Sequence, residues 1–325
     1  MAGRVPFPFL TEVQTATMTT PALIALDWGT SNLRATLLDA QGHALEHLSA
    51  PGGVMKVAPG QFSASLLALC GPWLAEHAVA VIASGMVGSR QGWKEAPYLP
   101  CPAKLHEAAH ALVRVEIEGA PGSTRHVHIV PGLRCEDARG QADVMRGEET
   151  QLWGAGLPPE SVCVLPGTHS KWVWLGGSGD VTSFKTYMTG ELFGLLTQHG
   201  ILGRLMTFVQ GAALDRDAFD AGVTLGRQGH ADWAHTIFAA RTAGLMGRYE
   251  AHRLPDFLSG ILMGSEIASA LAQGSLRSVS LLGDAPLCER YAAALSQFAI
   301  QSQLITQEAT TRGQWMLAQA AGLCD

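Results

Sequence analysis

The feature that most constrains this fold is a repeat. The apolar run Leu23–Leu26 leads into Asp27-Trp28-Gly29-Thr30-Ser31-Asn32, and a second run follows from Arg34 to Asp39. The same order returns later. Ser161–Leu165 leads into Pro166-Gly167-Thr168-His169-Ser170-Lys171, then Trp172–Leu175, the turn Gly176–Asp180 and an alternating stretch from Val181 to Met188. Short unbroken apolar runs are the pattern of strands buried on both faces. Each half therefore reads strand, Gly-Thr turn, strand, Gly-containing turn, strand. A duplication of this kind predicts an α/β chain of two similar lobes with a cleft between them.

The turns themselves suggest what the cleft holds. Gly29 and Asn32 tolerate the unusual backbone angles of a tight turn. Such turns point bare N–H groups at an anion, and a carboxylate beside them, here Asp27, can hold Mg²⁺ through water. A turn or helix cap is the plainer role for Asp27. Two phosphate-sized turns, Gly29-Thr30-Ser31 and Gly167-Thr168-His169-Ser170 with Lys171 alongside, suit a nucleoside triphosphate. No G-x-x-x-x-G-K-[ST] sequence and no G-x-G-x-x-G after a strand is present, so the P-loop and dinucleotide-binding types are excluded.

Composition narrows the class further. A chain of 325 residues, 47% hydrophobic and 15% charged, describes a packed globule rather than a disordered one. Its net charge of −6 and lack of a Lys/Arg-rich run argue against general nucleic-acid binding. Anionic ligands must then rely on local cations such as Arg34, Lys94, Arg146 and Lys171. The 6 cysteines form no C-x-x-C pair and no zinc-like spacing, which fits a reducing cytoplasm. No apolar run is long enough for a membrane span, and residues 1–20 lack the apolar core of a signal peptide. Those residues read as a disordered extension, with Met18 an alternative start. The remainder divides into lobes at 21–160 and 161–325. The oligomeric state is not fixed by the pattern; a homodimer is one arrangement open to it.

From about Leu23 onward the chain resembles the 2-dehydro-3-deoxygalactonokinase family, sugar-acid kinases of the actin/hexokinase/Hsp70 superfamily. The resemblance rests on Asp27-Trp28-Gly29 through Arg34, Gly85-Met86-Val87-Gly88-Ser89, Gly92 to Leu99, Asp143 to Gln151, Pro166 to Trp172, Thr189-Gly190-Glu191-Leu192 and Leu258-Ser259-Gly260. It implies two RNase H-like lobes, ATP with Mg²⁺, and phosphorylation of 2-dehydro-3-deoxy-D-galactonate at its 6-hydroxyl during galactonate catabolism. It also implies that Gly283 faces adenosine and that a carboxylate ahead of the second turn, Asp143, is the base, with Glu148 and Glu149 as rivals. Rival functions are a kinase of the epimeric 2-dehydro-3-deoxygluconate and a non-enzymatic ATP switch.

The other candidates come from the residues. Arg34 could neutralise charge on the transferring phosphoryl group, or pair with Asp39 or a neighbour. The loop at Gly85 and Met86 ends a predicted strand, where ligands of α/β sheets gather. Lys94 and Trp93 could reach a sugar, although Trp93 could equally anchor the core. Residues 142–154 read as one helix, so Asp143 and Arg146 would share a face and could simply pair. The planar guanidinium of Arg146 also suits a substrate carboxylate, with Glu148 nearby and Arg90 and Arg134 as alternatives. Gly260 and Gly264 share a helix face that could admit adenine or another backbone. His106-Glu107-Ala108-Ala109-His110 matches the zinc-protease pattern H-E-x-x-H, but strand-like residues follow and no third ligand is in place.

Overall fold

A computed structural model of the chain describes residues 20–120, 124–272, 274–305 and 308–324. The expected extension at residues 1–20 lies, but for Thr20, outside them. Fourteen strands are present among the described residues: β1 (Pro21–Trp28), β2 (Leu33–Asp39), β3 (Ala44–Ala50), β4 (Ala80–Ser84), β5 (Tyr98–Pro100), β6 (Val113–Glu116), β7 (His126–Ile129), β8 (Gly132–Glu136), β9 (Ala142–Met145), β10 (Val162–Leu165), β11 (Ser170–Leu175), β12 (Val181–Tyr187), β13 (Ser278–Leu282) and β14 (Gln301–Ile305). The helices are α1 (Phe62–Glu76), α2 (Leu105–His110), α3 (Glu148–Ala155), α4 (Thr189–Gln198), α5 (Arg216–Gln228), α6 (Trp233–Thr236), α7 (Ala239–Leu245), α8 (Leu254–Leu271), α9 (Ala285–Ser296) and α10 (Ala309–Ala320).

The repeat is visible in the sheets. One runs β3-β2-β1-β4-β7-β6 and the other β12-β11-β10-β13-β14. In each, a hairpin strand pairs antiparallel on one side of the first strand and a later strand pairs parallel on the other. This is the duplicated RNase H-like topology of actin-like ATPases. β1 and β10 sit inside their sheets, which is why Leu23–Leu26 and Val162–Leu165 are buried on both faces. Parallel pairing of β1 with β4 sets Asp27 opposite Ser84, so both strands end at one edge and deliver their loops to the cleft.

Two departures from the sequence reading matter. Residues 142–154 are not one helix: β9 pairs with β8, Gly147 turns the chain at φ 106°, and α3 starts only at Glu148. Strand pairing overrides helical spacing there, and Asp143 and Arg146 do not form a helical pair. In addition, α10 leaves the second lobe and packs on α3, α2, β1 and β4 of the first. Residues 161–325 are therefore not a single packing unit. Gly154 and Gly313 allow this return, since a Cβ on either would overlap a carbonyl of the opposing helix.

Within the second lobe, α5 and α8 cross on Gly222, Gly226, Gly260 and Gly264, each pressed on backbone of the facing helix. Helix packing, not adenine, occupies that face. Trp93 stacks on Phe62 and meets Trp28 edge-on, so it anchors the first core.

Candidate active site

Asp27 stands at the end of β1, directly opposite Arg34 in the β1–β2 hairpin. The Arg34 guanidinium donates to its Oδ2 at 3.3 Å. Burial pushes the Asp27 carboxyl above its ordinary range, and Arg34 pulls it back down. Asp39 instead caps its own turn, accepting from the amides of Gln41 and His43. The turn after Asp27 is braced from behind: amides of Gly53, Val54 and Met55 donate to the carbonyls of Ser31, Gly29 and Thr30. Its carbonyls are thus engaged, while the amides of Thr30 and Ser31 meet no acceptor among the described residues.

Behind Asp27 lies a close-packed path to the second lobe. Gly85, at φ 93°, lies so near that a Cβ would sit 2.9 Å from the Trp28 carbonyl and 3.7 Å from Asp27 Oδ1. Gly147 presses on Gly85 in turn, with a Cβ there 3.2 Å from its Cα. The next residue, Glu148, opens α3. Its Oε2 accepts from the Arg146 amide at 3.0 Å, and its Oε1 lies 3.7 Å from the buried Lys171 ammonium on β11. Two positive-φ glycines thereby bring Asp27, Glu148 and Lys171 to the junction of the lobes.

A cleft of about 690 Å³ opens beside this path, lined among others by Asp27, Arg34, Gln151, Gly283 and Gln314. Gln314 donates to the Leu26 carbonyl and to Ser84 Oγ, holding the ends of β1 and β4 together. Gly283 rests against Pro166, where a Cβ would lie 3.3 Å from the carbonyl.

The second turn faces another cavity, of about 550 Å³, lined by Gly167, Thr189, Phe193, Phe208, Leu287 and Tyr291 among others. The amides of Gly167, Thr168 and His169 meet no acceptor among the described residues. The start of α4 lies over them, with the Glu191 amide donating to the Thr168 carbonyl at 2.9 Å. His169 Nε2 and Glu191 Oε2 are 2.5 Å apart at the partly exposed rim. Helix amides, bare turn amides and an adjoining apolar cavity together suit a phosphate chain ending in a flat base.

Several expected residues stand elsewhere or act differently. Asp143 is on β9, and its carboxylate accepts from the Thr186 amide and hydroxyl at 2.6 and 2.7 Å and from the Val144 amide at 2.7 Å. It ties β9 to β12 and lines a separate pocket with Lys185 and Tyr187, apart from Asp27. Ser170 is fully buried and donates to Glu266, so its hydroxyl is not offered to a phosphate. Lys94 reaches the Arg114 carbonyl on the edge strand β6, and Met86 packs on the first-lobe core. Arg146 is buried: Nη2 donates to the Ala96 carbonyl at 2.7 Å, the plane lies over the Tyr98 ring, and Nη1 has no partner.

Glu149 is fully buried, and burial with the neighbouring Glu148 charge pushes its carboxyl up to about 8. His110 Nδ1 donates to the main-chain carbonyl of His106, and Glu107 accepts from the Lys104 amide. Among the described residues no group of three His, Cys, Asp or Glu side chains could hold a metal. Sequence reasoning missed Gln151, Gln314 and Glu266. Gln151 carried a usable signal, being three residues beyond Glu148 on one helix face.

A duplicated RNase H-like fold with amide-lined turns at the lobe junction defines the actin-like ATPase class. The chain belongs to the 2-keto-3-deoxy-galactonokinase family, whose model matches residues 27–317. It is 39% identical over 251 residues to the 2-dehydro-3-deoxygalactonokinase of Escherichia coli K12, covering 77% of this chain and 80% of that one. A Rhizobium meliloti strain 1021 protein assigned the same activity is 36% identical over 293 residues, covering 89% and 93%. The crystal structure of a Sinorhizobium meliloti protein, likewise so assigned, superposes with a TM-score of 0.81 at 36% identity, covering 92% of this chain and 98% of that one.

Proposed function

We propose that this enzyme transfers the γ-phosphoryl group of ATP to the 6-hydroxyl of 2-dehydro-3-deoxy-D-galactonate, serving galactonate catabolism. The substrate reading is supported by relatives that carry this activity in their names. The mechanism rests on one observation, the path from Asp27 through Gly85 and Gly147 to Glu148 and Lys171. It puts two carboxylates and a buried cation where the lobes meet.

In this reading the second lobe holds ATP and the first holds the sugar acid. The bare amides of Gly167, Thr168 and His169 take phosphate oxygens, and those of Thr30 and Ser31 face the same group from across the cleft. Gly283, against Pro166 on the wall of the cleft beside Asp27, borders the phosphate end of the nucleotide. The donor set fits Mg²⁺, which kinase sites hold through one or two carboxylates plus phosphate oxygens. Asp27 would hold it through water, and the bound ion would neutralise phosphate charge. Glu148 takes the proton of the acceptor hydroxyl as its oxygen bonds to the γ-phosphorus and the β–γ bridging bond breaks. Lys171 orients that carboxylate. Alignment matters more than basicity in such transfers.

Arg146 is the carboxylate clamp in this reading. Its stacking on Tyr98 fixes the guanidinium, and both its Nη1 and Ser89 Oγ in the adjoining loop are buried donors without partners. The Gly88 loop must yield for a ligand to reach them. Cys70, Cys163 and Cys288, buried in the cores as thiols, support a reducing, cytoplasmic setting. Among the described residues no helix is long and apolar enough to cross a membrane. The net charge of −6 supports small anions at local cations over nucleic acid as partners.

The test is ADP release with ATP and Mg²⁺ against 2-dehydro-3-deoxygalactonate, its gluconate epimer, galactonate and glycerol. Turnover with the first alone is expected, with chelation of Mg²⁺ abolishing it. Equal turnover with the epimer would overturn the stereochemical assignment, and no turnover with any acceptor would overturn the sugar-acid reading.

A further inference from the structure

The second lobe contains a buried acid that the proposed chemistry does not use. Glu266 lies in the middle of α8 and is 3% exposed. Its Oε1 accepts from Ser170 Oγ at 2.8 Å and Trp172 Nε1 at 2.7 Å. Its Oε2 accepts from the hydroxyls of Tyr291, at 2.8 Å, and Thr189. A carboxylate offers about four acceptor positions, and here four donors fill them.

The donors come from three different elements. Ser170 and Trp172 begin β11, immediately after the second turn. Thr189 is the first residue of α4, whose next residues lie on the Gly167–Thr168 backbone. Tyr291 is on α9. Thr189, Tyr291 and Gly167 also line the 550 Å³ cavity, so Glu266 stands just behind its wall. Burying a carboxylate is costly unless it is fully hydrogen-bonded. Stability alone is poorly served by such a group, since an apolar cluster of equal volume would pack this core as well or better. Four directed bonds instead fix the angle at which the turn and the start of α4 meet.

We infer that Glu266 is the positioning residue of the nucleotide site: through Ser170 and Thr189 it holds the bare amides of Gly167–His169 and the α4 N-terminus in register for a phosphate chain. This rests on the nucleotide reading above, and it assigns Glu266 no contact with ATP. α8 itself is locked to α5 by the four-glycine crossing, which gives the carboxylate a rigid base.

The experiment compares wild-type protein with Glu266→Gln and Ser170→Ala. Binding of a non-hydrolysable ATP analogue is measured by calorimetry, both KM values by steady-state assay, and the melting temperature without ligand. Glu266→Gln forces one amide donor onto an array of donors, so analogue affinity should fall about tenfold or more, the scale of one charge-assisted hydrogen bond. The KM for ATP should rise in parallel, while that for sugar acid stays within about twofold. Ser170→Ala, which removes one donor beside the turn, should shift the same two quantities by a smaller factor. Should Glu266→Gln fail to fold, Ser170→Ala decides alone. Unchanged analogue affinity in a folded variant, or equal shifts in both KM values, would overturn the inference. Failure of the wild type to bind the analogue would instead overturn the nucleotide reading itself.

Discussion

The two Gly-Thr turns occupy equivalent places in equivalent sheets, yet they are held in different ways. The turn at Asp27–Asn32 is braced almost wholly by main chain: amides of Gly53–Met55 take its carbonyls, and Trp28 Nε1 donates to the Gly52 carbonyl. Of the groups proposed to work there, Arg34 is exposed and Asp27 half-buried. The turn at Gly167–Lys171 is braced by buried side chains, with Ser170 on Glu266 and Lys171 facing Glu148. Duplication thus supplied one cradle twice, and the lobes specialised by what lies behind it. A main-chain brace tolerates change in nearby side chains, whereas a buried polar network fails as a unit.

That contrast can be broken at graded cost. The largest effect is expected at the exposed turn: Asp27→Asn should lower kcat by about 10³-fold with the melting temperature nearly unchanged, and retained turnover would remove Asp27 from the chemistry. Glu148→Gln should lower kcat by about 10²-fold while leaving analogue binding intact; a matching loss for Asp143→Asn would return the base to β9. Gly260→Val, which drives a side chain into α5, should cost about 1–3 kcal/mol by denaturant melting. Its effect on the sugar-acid KM should be small, because the first lobe is untouched.

The smallest effect on turnover is expected from a group that sets a pH slope in stability. Glu149 is held near 8 in the fold against an ordinary value of 4.5. Between those values the folded protein keeps a proton that the unfolded chain releases. Stability from this group is therefore greatest below 4.5 and declines as pH rises toward 8. Glu149→Gln should flatten that decline, and an unchanged slope in denaturant titrations at pH 5, 6.5 and 8 would assign it elsewhere.

Legibility followed the range of the forces involved. The repeat, the buried strands and the helix carrying Gly260 and Gly264 could all be read because strand and helix periodicity is local. The positions of both turns, and of Asp27 opposite Arg34 in one hairpin, were readable for the same reason. Residues 142–154 were not, because the pairing of β9 with β8 and the turn at Gly147 overrode a helix-like stretch. Asp143 thereby moved from the expected base position to a tie onto Thr186. Gly260 and Gly264 showed their spacing but not which neighbour would fill it.

By itself the sequence determined the duplicated α/β fold, its two Gly-Thr turns and the family, since each is written in contiguous residues. Tertiary structure alone decided that Glu148 meets Lys171 across the junction, that α10 returns to the first lobe, and that Glu266 gathers donors from β11, α4 and α9. Those pairings join residues 23 to 288 positions apart, and no local pattern encodes which distant group a buried charge will find.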